Sequence, residues 1–123
     1  MHKLTRAAAA AALLALPLTA CGGGSSTGGD VAGANVTVHA KDTLSFDKSS
    51  YSAPAGNVTI GYVDDGASPH TLRIEGQDQF KLAVNSHGQK VTGSINLAPG
   101  SYTIFCDIPG HRAAGMQATL TVK

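Results

Sequence analysis

"SYTIFCDIPGHRAAGMQATLTV", residues 101–122, decides how the rest of the chain is read. Its opening alternates, so Tyr102, Ile104 and Cys106 share one face of a strand while Thr103 and Phe105 share the other. Its close alternates too, with Ala118, Leu120 and Val122 pointing the same way. Between the two runs, Pro109, Gly110 and Gly115 supply the turn chemistry that lets a loop fold back. The spacing predicts two neighbouring strands joined by a loop at one end of a β-structure. Cys106, His111 and Met116 are distributed along that loop as C-x4-H-x4-M.

The same β signal runs outward from this segment. "NVTVHA" (35–40), "NVTIGYV" (57–63), "HTLRIE" (70–75) and "QKVTGSINL" (89–97) are short and rich in Val, Ile, Thr and Tyr. Such runs read as strands. In the second of them Val58, Ile60 and Tyr62 fall on one face. Clusters such as "SAPAGN", "DDGASP", "NSHGQ" and "LAPG" punctuate the runs as turns. No helical periodicity appears after residue 35. The expectation is an all-β antiparallel sandwich, with a core of modest size.

The first third of the chain is different. "MHKLTR" is basic, and "AAAAAALLALPL" (7–18) is an apolar run too short to span a bilayer, which takes roughly 20 residues. Small residues follow. This is the order of an export signal. "LTAC", Leu18 to Cys21, resembles the lipobox of bacterial lipoproteins, which implies cleavage before Cys21 and acylation of that residue. "GGGSSTGGDVAG" behind it reads as a flexible tether. The expected organisation is a signal peptide at 1–20, a tether at 21–35 and a folded domain at 36–123.

The chain carries 9 Lys and Arg against 8 Asp and Glu. Removal of Lys3 and Arg6 with the signal leaves the charge slightly negative, with no basic run. Nucleic acid has no electrostatic footprint to bind. With Cys21 acylated, Cys106 is the lone thiol of an exported domain, which calls for something to hold it.

A metal answers that need. Fully extended, five residues span roughly 17 Å, so the three donors meet only if the loop curls. A fourth donor must come from elsewhere, and His70 stands where "DDGASP" gives way to a strand. Two imidazoles, a thiolate and a thioether suit copper: a His2Cys site with a weak axial Met describes blue-copper electron-transfer centres. Structural zinc normally takes four strong ligands and has little use for Met. Bound metal also keeps the thiol deprotonated.

"PAGNVTIGYVDDGASPHTLRI" (54–74) followed by "LAPGSYTIFCDIPGHRAAGMQATLTV" (97–122) resembles the cupredoxins of the plastocyanin/azurin type, over about residues 36–123. The resemblance implies a Greek-key β-sandwich of about eight strands with copper at one end. It implies Cys106 as thiolate ligand, His70 and His111 as imidazole ligands and Met116 as the long axial ligand of one type 1 copper ion cycling between Cu(I) and Cu(II). A monomeric, membrane-tethered electron carrier is expected, not an enzyme. It would sit outside the cytoplasmic membrane or in the periplasm, with redox partners docking on the apolar patch around His111. The alternative is a copper-binding module for delivery or sequestration.

The Thr71 hydroxyl is expected to support the site by tying its strand to the Cys106 loop. His39 and His87 have no matching partners and are expected at the surface. Phe105 is expected to point outward beside Cys106, and Arg112 to lie on the loop surface.

Overall fold

Burial follows the alternation read from the sequence. A computed structural model describes residues 29–123, and the signal peptide, Cys21 and the first part of the tether lie outside the described residues. The strands are β1 (Val36–Lys41), β2 (Ser45–Phe46), β3 (Ser50–Ala53), β4 (Gly56–Asp64), β5 (His70–Ile74), β6 (Lys81–Val84), β7 (Lys90–Leu97), β8 (Gly100–Phe105) and β9 (Gln117–Val122). Among the described residues there is no helix.

The strands form two sheets, ordered β2-β1-β4-β7 and β3-β9-β8-β5-β6. Val58, Ile60 and Tyr62 of β4 face Leu72 and Ile74 of β5, Ile104 of β8 and Leu120 of β9 in a single hydrophobic core. At roughly 1.5–3 kcal/mol for each fully buried large apolar side chain, this core is what holds the two sheets face to face. Tyr62 is wholly buried; its hydroxyl donates to the Thr71 carbonyl at 3.0 Å, and its ring meets Phe46 edge-on.

Two of the pairings are parallel, which departs from the antiparallel expectation. β1 runs parallel to β4, and β3 parallel to β9. The chain passes from the first sheet to the second after β2 and returns at β4, so β1 and β4 reach adjacency through a crossover rather than a hairpin. Local alternation carries no information about such crossovers. The short strands β2, β3 and β6 also escape a sequence reading, because two to four residues give too little periodicity to register.

Residues 31–35 are fastened to the first sheet. The Val31 amide donates to Thr37 Oγ1 at 3.1 Å, and Asn35 exchanges two bonds of 2.8 Å with the Thr59 backbone. A Cβ on Gly61 would meet Val31 at 2.6 Å, so this segment lies directly against β4.

His39 is a correction. It is buried rather than exposed, with Nδ1–H 3.0 Å from both carboxylate oxygens of Asp65 and its amide donating to Asp47 Oδ1 at 2.9 Å. A carboxylate partner is what makes a histidine tolerable in that position. His87 is exposed as expected, donating from Nδ1 to the Gly66 carbonyl.

The topology gathers one end of the sandwich. β5 and β8 are antiparallel neighbours, with Arg73 opposite Phe105 and Ile74 opposite Ile104. The beginning of β5 therefore lies beside the end of β8. His70 opens the first and Cys106 follows the second.

Candidate metal centre

The loop from Cys106 to Met116 curls by bonding to itself. The His111 amide donates to the Ile108 carbonyl at 3.0 Å, Ala114 to Gly110 at 3.1 Å, and Gly115 to Arg112 at 3.0 Å. Gly110 and Gly115 take φ of 86° and 117°, a region that side chains with a Cβ rarely adopt. Two further bonds close the ring: Met116 N–H donates to the His111 carbonyl, and Cys106 N–H to the Met116 carbonyl, both at 3.1 Å. The chain ends of the loop thus meet, and the Cys106 and His111 donors come within reach of one point.

Cys106 Sγ lies 3.6 Å from His111 Nδ1, and the His70 and His111 rings stand 5.3 Å apart, centre to centre. One donor atom from each of His70, Cys106 and His111 falls within 4.8 Å of the other two. Cys106, His70 and Met116 are fully buried, and His111 is half-buried at the surface. The four residues singled out in the sequence are brought to the same end of the sandwich.

This arrangement fits a metal ion on its own terms. Both ring nitrogens of His70 are buried without a hydrogen-bond partner. An unpaired buried polar group costs roughly 1–3 kcal/mol, and a Lewis acid removes that cost for the nitrogen that binds it. Bonds of about 2.0 Å to nitrogen and 2.3 Å to sulfur place trigonal donors about 3.5–3.8 Å apart. The Cys106–His111 separation agrees. Soft sulfur with imidazole is the chemistry of copper.

The residues around the sulfur are ordered by Thr71. Its amide points to Cys106 Sγ at 3.4 Å. Its hydroxyl donates to Asp107 Oδ1 at 2.6 Å and accepts from the Asp107 amide at 2.9 Å. This is the tie between β5 and the Cys106 loop that the sequence suggested. Asp107 Oδ2 lies 3.4 Å from both Arg73 Nη1 and Lys81 Nζ. The Thr71 hydroxyl first, and the two cations after it, hold the Asp107 carboxyl below the usual carboxylate range.

A second acidic group stands behind His70. Asp42 Oδ1 lies 3.6 Å from His70 Nε2 and accepts from the Ala67 and Ser68 amides. The Ser68 and Ala67 backbone bonds lower its carboxyl. Asp64 is buried with one oxygen unpartnered, and burial pushes its carboxyl up. Sequence reasoning missed Asp42, Asp64 and Asp107. The acidic pair in "DDG" reads as turn chemistry, and no local pattern announces the contact of Asp107 with Thr71.

Phe105 is partly covered rather than free. The Arg112 guanidinium sits 4.2 Å over its ring while also reaching Glu75 at 3.2 Å. Beside them Ile108, Pro109, Gly110 and Ala113 line a shallow, mostly apolar concavity next to Cys106.

Comparison with known proteins agrees with the geometry. Residues 32–123 match the copper binding proteins of the plastocyanin/azurin family. The chain belongs to this family. Its cofactor is copper, and cupredoxins are electron carriers, not enzymes.

Auracyanin-B of Chloroflexus aurantiacus is 29% identical to this cupredoxin over 81% of the chain, and the chain spans 57% of that relative's length. Among solved structures, sodium-dithionite-reduced auracyanin from Roseiflexus castenholzii superposes with a TM-score of 0.60 at 22% identity, covering 72% of this chain and 95% of that one. Auracyanin A, a "blue" copper protein from Chloroflexus aurantiacus, gives 0.59 at 20% identity over 71% and 96%. These two similarities establish the shared β-sandwich fold.

Proposed function

We propose that the protein carries single electrons through one type 1 copper ion held by Cys106, His70 and His111, with Met116 as a weak axial donor. The observation that carries this reading is the convergence of a buried thiol and two imidazoles, one of which has both nitrogens buried without a hydrogen bond. Copper held there supplies a one-electron Cu(I)/Cu(II) couple. The protein supplies rigidity: β5 and β8 fix His70 and Cys106, and the self-bonded loop fixes His111 and Met116. A site that moves little between oxidation states exchanges electrons quickly.

His111, the only one of the four donors that is not fully buried, marks the route for electrons. The exposed Pro109, Gly110, Ala113 and Ala114 surround it, and a redox partner docks on this small apolar face. Weak, brief complexes of that kind suit electron carriers. The domain works as a monomer.

Loading the purified protein with Cu(II) tests the reading. An intense blue form that cycles reversibly supports a carrier. A colourless protein that holds only Cu(I) and passes it to an acceptor supports the alternative, copper delivery. Met116→Leu is expected to retain copper and colour while raising the reduction potential, since a donor to Cu(II) is lost. An unchanged potential in redox titration contradicts axial ligation.

Residues 1–20 act as an export signal, Cys21 carries a lipid, and the stretch from Cys21 to the docked residues 31–35 tethers the domain outside the cytoplasmic membrane or in the periplasm. The sequence order of basic start, short apolar run, "LTAC" and Gly/Ser stretch supports this. Cys21→Ser is expected to move the protein from the membrane fraction to the soluble fraction. Unchanged partitioning removes the anchor.

A further inference from the structure

The Thr71 hydroxyl has one proton and two acceptors in range. Asp107 Oδ1 lies 2.6 Å away and Cys106 Sγ 3.5 Å away. The carboxylate takes the proton, because a short O–H···O⁻ bond is charge-assisted, whereas a sulfur 3.5 Å away that shares its charge with a metal is the weaker acceptor. The same hydroxyl oxygen accepts from the Asp107 amide, which fixes its orientation. Arg73 and Lys81 hold the other carboxylate oxygen in place. The sulfur is left with the Thr71 amide at 3.4 Å.

Hydrogen bonds around the cysteine sulfur tune the potential of a copper–thiolate centre. Each one draws electron density from the thiolate and so favours Cu(I). We propose that Asp107 is a positioning residue that keeps the reduction potential down by holding the Thr71 hydroxyl proton away from Cys106. The inference rests on Cys106 being the copper thiolate. Asp107 acts through Thr71, with Arg73 and Lys81 anchoring it.

Removing Asp107 also deletes a negative charge, which by itself raises the potential. A double-mutant cycle separates the two effects. The potential and the energy of the sulfur-to-copper absorption band are measured for wild type, Asp107→Ala, Thr71→Val and the double variant. Asp107→Ala frees the hydroxyl to turn to the sulfur. Its rise in potential is expected to be larger in the wild-type background than in the Thr71→Val background, with a shift of the band to higher energy only when Thr71 is present. Asp107→Asn keeps an acceptor oxygen, so it is expected to raise the potential by the charge effect while leaving the band energy unchanged. Equal shifts for Asp107→Ala in both backgrounds overturn the inference, as does a band shift in Asp107→Asn equal to that in Asp107→Ala. A wild-type protein with no such band overturns the copper reading itself, whereas a blue wild type with an additive cycle overturns this inference alone.

Discussion

Cys106→Ser abolishes the intense visible absorption of the copper-loaded protein. The colour of a copper–thiolate centre is an electron moving from sulfur to Cu(II), and a serine oxygen holds its electrons too tightly to take part. Met116 does not substitute, because a thioether is only a weak donor. The loss is expected to be complete, and copper binding weakens with it. The fold survives: Cys106 sits after β8, and the Thr71 amide that points at its sulfur has a hydroxyl to meet in the variant. Absorption spectroscopy after Cu(II) loading, with circular dichroism of the metal-free protein, checks both halves. Retained colour shows that another residue supplies the thiolate role, and the site assignment fails.

The second large effect is on stability. Tyr62 is wholly buried at the centre of the core, and its hydroxyl reaches across to the Thr71 carbonyl on the facing sheet. Tyr62→Ala removes the ring and leaves a cavity, at a cost of roughly 3–5 kcal/mol by analogy with other aromatic deletions. Against a total stability of about 5–15 kcal/mol, that is a large fraction. Tyr62→Phe keeps the ring and loses only the hydrogen bond, worth about 0.5–1.5 kcal/mol. Burial raises the Tyr62 hydroxyl's pKa well above its ordinary value, so it stays a donor throughout the working range of pH. Thermal unfolding distinguishes the variants, since each kcal/mol moves the midpoint by about 4–8 °C in a domain of this size. Similar midpoints for the two variants mean that the ring contributes little, contrary to its burial.

Legibility in the sequence follows the length scale of each signal. β4, β8 and β9 are readable because six to nine residues of alternation define which face is inside. The parallel pairing of β1 with β4 is not, since it depends on how distant segments cross between sheets. The four candidate copper donors are readable because Cys and Met are scarce in this chain and the two histidines stand at a turn-to-strand junction and between Cys106 and Met116. The carboxylates around them are not. Asp is common in turns, and nothing local shows that Asp107 meets Thr71 across the sheet while Asp78 does not. The expectation for His39 fails for the same reason: its partner Asp65 is 26 residues away.

The loop between Cys106 and Met116 satisfies much of its own backbone and is joined at its base by a single bond from one end to the other. Its tip, from Pro109 to Ala114, takes no part in the core, although the His111 ring within it turns in toward the buried sulfur. Descendants of such a chain can therefore gain or lose residues there without endangering the scaffold. Changes at the tip reach the metal site through His111, and those at Thr71 and Asp107 reach it through the sulfur. None of these residues belongs to the apolar core that joins the two sheets.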